Sequence, residues 1–377
     1  MGFKTLALSA LAVAANASPL IHARTGNVTV YTNSNGLNFT QMNPSLPNVT
    51  ILATGGTIAG SSSSNTATAG YKAGAVSIKD LMNAVPEMLD VANVAGVQVT
   101  NVQSTDVTTD ILLDMANTLN NVLCNDPTMS GAVVTHGTDT LEETAFFLDA
   151  TVNCAKPVVV VGAMRPASAI SADGPFNLLQ GVTVAVDKKA RNRGAMVVLN
   201  DRIVSAFYVS KTNANAVDTF KAEEMGNLGM IVSNTPYFFY PAVEPTGKIA
   251  FDVAKLGKIP RVDILYAYED MQNDTLYNSI ESGAKGVVIA GAGAGVVSTS
   301  FDGAIDDVIA NHHVPVVQSF RTGNGEVPVS GVVSDKATHI ASGFLNPQKS
   351  RILLELLLAE NKDVKQIKQA FAKSAAA

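Results

Sequence analysis

The chain has 377 residues, 47% of them hydrophobic and only 15% charged, a balance that excludes a disordered polymer and leaves material for about two buried cores. A net charge of −6 with no basic run argues against a nucleic-acid partner. Beyond the N-terminal leader no apolar run reaches the roughly 18 residues a membrane helix needs.

Residues 1–17 read as a secretory signal peptide: Lys4, then the apolar stretch Leu6–Ala15, then small residues at Ala15, Ala17 and Ser18. That predicts a secreted protein, in the medium, cell wall or periplasm. The sequons at Asn27, Asn38, Asn48 and Asn273 then become expected glycan acceptors. Residues 18–45 are polar and predict a loosely held extension. The two cysteines, Cys124 and Cys154, predict a disulfide in an oxidising compartment.

From residue 46 strand and helix patterns alternate. Val49–Ala53 is a buried strand that breaks into Thr54-Gly55-Gly56-Thr57, a glycine turn flanked by hydroxyls. A long Ser/Thr/Gly-rich loop follows, of the kind that is usually functional. Val97–Val102 is the next strand and leads into Ser104-Thr105-Asp106. Ile111, Leu112, Met115, Leu119 and Val122 mark an amphipathic helix over 109–124. The strand Ala132–Thr135 ends in His136-Gly137-Thr138-Asp139-Thr140, and a helix follows at once over 141–152. Pro157–Val161 ends in Gly162-Ala163-Met164-Arg165, a helix runs over 175–189, and Ala195–Leu199 is a fifth strand.

Residues 234–259 read as a linker, after which alternation resumes with strands at 262–267, 286–290 and 315–319. This predicts an α/β protein: a larger doubly wound domain with a parallel sheet over 46–233 and a smaller α/β domain over 260–377. Ligands in such sheets bind at the carboxyl ends of strands. Three strand ends here offer Thr57, Thr138 with Asp139, and the segment after Gly162.

The motifs ILATGGTIAG at 51–60, THGTDTLEETAFFL at 135–148, VGAMRPASAISADGPFNL at 161–178 and SGFLNPQKSRILL at 342–354 resemble those of the type II L-asparaginase family, including its secreted fungal members. The resemblance covers nearly all of 46–377. It implies hydrolysis of L-asparagine to L-aspartate and ammonia through an acyl-enzyme on a threonine. It implies Thr57 as nucleophile, Tyr71 as the loop tyrosine, and Thr138 and Asp139 as active-site residues. The catalytic lysine, sought in a D-K pair before an N-R-G segment, falls on Lys188, with Lys189 beside it. Substrate-binding roles fall on Ser104, for the α-carboxylate, with Thr105, Gly56, Ala163, Thr138 and Asp139. No cofactor and no metal are implied. The family assembly implies a homotetramer whose sites lie at a subunit interface.

The residues make chemical sense on their own. A threonine hydroxyl is a poor nucleophile until a neighbour accepts its proton, and a lysine–aspartate–threonine group can do so once the amine is desolvated. None of the five histidines stands in a nucleophile motif, and His136, heading a glycine turn, reads as a structural hydrogen-bonding residue. Turn amides near Gly56–Thr57 and Gly137–Thr138 suit a developing oxyanion. Two features depart from the family: the second domain's turn reads Gly291-Ala292-Gly293-Ala294-Gly295-Val296, without asparagines, and the cross-subunit glutamate has only Glu326 as a weak match. A broad glutaminase–asparaginase and an inactive binding protein of the same fold are the competing readings.

Overall fold

The computed structural model describes residues 31–68, 70–330 and 338–375. The strand Asn48–Gly55 lies in the middle of a ten-stranded sheet, paired in parallel with Asn93–Val102 on one side and Met129–Thr135 on the other. Period-2 alternation sends its side chains to two different cores: Leu52 joins one hydrophobic cluster, Val49 and Ile51 the other. Met129–Thr135 repeats this, with Ala132 and Val134 on the first face and Val133 on the second; so does Val158–Val161. Burial on both faces explains why these strands read as unbroken apolar runs. Helices Thr109–Leu119 and Leu141–Thr151 cover the first face through Leu112, Met115, Phe146 and Phe147, and Gly174–Val186 covers the second through Leu178 and Val182.

The large sheet is mixed rather than wholly parallel. Beyond Ala195–Leu199 the chain reverses into Arg202–Ser205, antiparallel to it. Asn200 and Asp201 form that turn with φ of 51° and 63°, the left-handed pair a two-residue hairpin loop requires. Gly229–Val232 and Thr235–Phe238 then extend the edge, both antiparallel. The expected linker over 234–259 therefore opens with a sheet strand. At the opposite edge Asn38–Phe39 pairs with Ala95, and Phe39 is buried. The described part of the polar extension is thus anchored, helped by Asn33 and Asn35, which both donate to Asp126.

The second sheet has four parallel strands in the order Val262–Tyr266, Gly286–Gly291, Val316–Phe320, Ile340–Ala341. Helix Pro347–Ala359 packs on it and also against Leu141–Thr151 of the first domain. Its Ile352, Leu353, Leu356 and Leu357 belong to the same cluster as Phe146 and Phe147, so one core runs through both domains.

Cys124 ends the helical run after Leu119, and Cys154 lies just beyond helix Leu141–Thr151; a disulfide joins them with Cα atoms 5.6 Å apart. Among the described residues no helix is long and apolar enough to cross a membrane. The leader 1–17 and Asn27 lie outside the described residues. Asn38 is exposed and Asn273 half-buried, bonded to Ser300. Asn48 is half-buried at the start of a buried strand, and its side-chain oxygen accepts from Asn93.

Candidate active site

The turn after Asn48–Gly55 is held by close backbone packing. Gly55 and Gly56 have φ of 104° and 75°, and a Cβ on Gly56 would lie 2.3 Å from Gly137 Cα. Only glycine lets the two turns touch back to back in this way. Thr57, 7% exposed, then starts a single 3-10 turn, Thr57–Ala59. Its Oγ1 lies 2.7 Å from the Tyr71 hydroxyl.

Tyr71 is carried by the loop that sequence composition singled out. Ser61 and Lys72 pair across the loop base, and the Gly74 amide donates to Gly56 O at 3.2 Å. The far side is docked on 167–170: Ser62 N donates to Ser168 Oγ and Ile170 N to Asn65 O, each at 2.8 Å. The tyrosine ring rests on Gly60, where a Cβ would be 2.9 Å from Tyr71 Cδ2.

The second hydroxyl, Thr138, is 4% exposed and meets a lysine that sequence reasoning missed. Lys211 Nζ donates to Thr138 Oγ1 at 3.0 Å and to Asp139 Oδ1 at 2.7 Å. Thr57, Tyr71, Ser104, Thr138, Asp139 and Lys211 all line one cavity of about 630 Å³, with Gly56 in its wall.

Lys188 is corrected. It is exposed in the turn Lys188–Ala190, which precedes the strand Ala195–Leu199. That places it at the amino-terminal edge of the parallel strands, whereas Thr57 and Thr138 follow carboxyl ends; five residues of strand at about 3.3 Å each separate the two edges. Lys211 reaches the correct rim because the chain, after its hairpin, turns back along helix Leu141–Thr151. Phe207 packs on Phe146, and Lys211 N donates to Glu142 at 2.5 Å. The Asn200-Asp201 pair marks the reversal in the sequence but not where the returning chain leads. Two substrate-binding expectations also change. Thr105 is exposed and stands outside the cavity wall, while the Ala163 side chain is buried in the second core cluster, leaving Met164 and Arg165 to face the cavity.

His136 is structural. It is fully buried; Nδ1–H donates to Gly137 O at 2.8 Å, and Nε2 accepts from the Thr144 hydroxyl at 2.9 Å. Burial pulls its pKa down to about 4, so the ring is neutral near pH 7. Gly56 N donates to Val102 O, which withdraws that amide from the donors open to an oxyanion.

Comparison with known proteins finds relatives over both domains. A family model described as asparaginase, N-terminal, covers residues 48–244, and the glutaminase/asparaginase C-terminal domain covers 261–371. A protein titled probable L-asparaginase 1 of Schizosaccharomyces pombe is 48% identical over 90% of this chain and 92% of its own. L-asparaginase 2 of Bacillus subtilis is 49% identical over 86% of each. A crystal structure titled probable cytoplasmic L-asparaginase from Campylobacter jejuni superposes with a TM-score of 0.82 at 42% identity, covering 87% of this chain and 99% of that one.

The last match overturns the expected secreted address. A protein titled as cytoplasmic shares this fold over 87% of this chain, so the fold does not carry export with it, and the expectation of secretion is withdrawn. What the motifs do carry is the chemistry. The chain belongs to the asparaginase family and hydrolyses L-asparagine to L-aspartate and ammonia.

Proposed function

We propose that Thr57 is the nucleophile, that the Tyr71 hydroxyl relays its proton, accepting it while passing its own on to the leaving nitrogen, and that Thr138, Lys211 and Asp139 form the second proton-handling group. The observation that carries this is two nearly buried hydroxyls on one cavity wall, each with a polar partner in contact: Thr57 with Tyr71 at 2.7 Å, Thr138 with Lys211 at 3.0 Å. Thr57 Oγ1 attacks the side-chain carbonyl carbon of asparagine and forms the acyl bond. The C–N bond breaks, and ammonia leaves with the transferred proton. Water, deprotonated on the Thr138–Lys211 side, then hydrolyses the ester, releases aspartate and restores the Thr57 hydroxyl. Turn amides of Thr57 and Thr138 stabilise the oxyanion. Asp139, with its side chain 68% exposed toward solvent despite the Lys211 contact, receives the substrate ammonium, and Ser104 the α-carboxylate.

The active assembly in this reading is a homotetramer in which a neighbour's second domain closes the cavity. Asparagine is preferred over glutamine, because the turn after Gly286–Gly291, closed by the Ala292–Val296 bridge, brings no side-chain amide to a longer substrate. Ammonia release from both amides tests the reading. Thr57→Ala should leave less than about a hundredth of the wild-type rate. More than that refutes the nucleophile, and equal kcat/KM on the two amides refutes the preference. Activity that survives dilution to a sedimenting monomer refutes the shared site.

A further inference from the structure

Lys211 is held from the second domain, through side chains that do not line the substrate cavity. Its backbone amide donates to Glu142 Oε2 at 2.5 Å. Glu142 stands in the first turn of helix Leu141–Thr151 and is 5% exposed. Its other oxygen accepts from Asn346 Nδ2 at 3.1 Å, and the same amide donates to Ser210 Oγ at 3.0 Å. Asn346 is itself fixed: it caps helix Pro347–Ala359, its Oδ1 accepting from Lys349 N at 3.0 Å. One turn on, the buried Lys349 amine donates to Phe207 O at 2.9 Å and Val209 O at 2.5 Å. The segment 207–211 is thereby gripped at Phe207, Val209, Ser210 and Lys211 by one helix start and its glutamate relay. The Asn346 amide uses both of its N–H donors and its oxygen in this junction, three bonds in all.

We propose that Glu142 and Asn346 are positioning residues for Lys211, setting through the Lys211 N–Glu142–Asn346 chain where its amine meets Thr138 and Asp139. This rests on the reading of Lys211 as part of the proton-handling group. Because neither side chain borders the substrate cavity, the chain acts chiefly on the rate of proton transfer, and touches substrate affinity only through the Lys211–Asp139 contact. A second-domain helix thus tunes the first domain's chemistry within one subunit.

The test exploits the polarity of the chain. Glu142→Gln faces two amide donors toward each other, and Asn346→Asp faces two carboxylates. The double variant Glu142→Gln/Asn346→Asp reverses the bond and restores it: the new amide donates, the new carboxylate accepts and still caps Lys349 N, and the Ser210 hydroxyl rotates to donate. Steady-state kinetics on asparagine are measured on the full-length enzyme, folded by circular dichroism, with Lys211→Met in the same series. Each single variant should lose about 10- to 100-fold in kcat, the scale of a small misplacement, with KM within about threefold. The double variant should recover to within about fivefold of wild type, a coupling that independent sites do not show. Unchanged kcat in folded single variants, or a double variant as poor as the product of the singles, overturns the proposal. If the singles do not fold, Ser210→Ala removes one acceptor at the same junction and should lower kcat about threefold at constant KM; no loss overturns it. A Lys211→Met enzyme that remains active instead overturns the reading of Lys211 itself.

Discussion

Acidification should unlock the base of the active-site turns through His136. The ring is buried, donates to Gly137 O and accepts from Thr144; taking a second proton would forfeit the Thr144 bond and place a charge in the core. Its pKa accordingly falls from 6.5 to about 4. In the unfolded chain the imidazole gains a proton as the pH drops through 6.5, while the folded protein resists until about pH 4. The unfolded state therefore binds more protons across that window, and stability present above pH 6.5 is lost as the pH falls. At about 1.4 kcal/mol per pH unit the loss from this residue reaches about 3 kcal/mol by pH 4, a large share of a typical stability of about 5–15 kcal/mol. Urea denaturation of wild type and His136→Gln at pH 7, 6, 5 and 4.5 measures it. The variant should be less stable at pH 7, because the bonds to Gly137 and Thr144 are poorly replaced, but flatter with pH, so the two curves converge on acidification. Curves that stay parallel from pH 7 to 4.5 would refute the reasoning.

Three further outcomes are expected. Lys211→Met should abolish turnover while Lys188→Met stays within about twofold of wild type, as for a surface substitution; ammonia assays on both check it, and the reverse pattern would reinstate Lys188. Gly137→Ala should inactivate the enzyme, since its Cβ would stand 2.9 Å from Ser104 Oγ and Cβ and force the turn off Gly56; a structure of the variant with an unmoved Ser104 and full activity would contradict this. Replacing both Cys124 and Cys154 by serine opens a loop with a sequence separation of 30 and should lower stability by about 3–4 kcal/mol through loop-closure entropy, read from the urea midpoint under non-reducing conditions.

The first two strand ends of the site were legible because they combine two local signals, an apolar run and a glycine turn, on adjacent parallel strands. Thr57, Thr138 and Asp139 follow directly from Asn48–Gly55 and Met129–Thr135. Tyr71 was reached only through the family resemblance, since loop composition marks the loop but not the residue in it. Lys211 was not legible, for a physical reason. It ends a two-residue strand, Ser210–Lys211, on a return segment whose course is set by packing of Phe207 on Phe146 and by the Glu142 bond. Both contacts join residues far apart in sequence. The same holds for the mixed edges of the large sheet: Phe39 is one apolar residue in a polar stretch, and only its partner Ala95 reveals that it lies in a core. Ala163 follows a strand end as Thr57 does, yet its side chain joins a core cluster built from several strands and helices.

The shared core has a consequence for how the molecule comes apart. Helix Pro347–Ala359 contributes Ile352, Leu353, Leu356 and Leu357 to a cluster that also contains Phe146 and Phe147, and Lys349 closes two carbonyls of the first domain. Cutting the chain between the two family segments would strip the first domain of one wall, baring large apolar side chains to water at about 1.5–3 kcal/mol apiece. The two segments are therefore partners in one melting event rather than separable modules. A fragment ending near residue 244 should be recovered as aggregate, and the intact chain should show a single calorimetric peak with no shoulder from an early-yielding half.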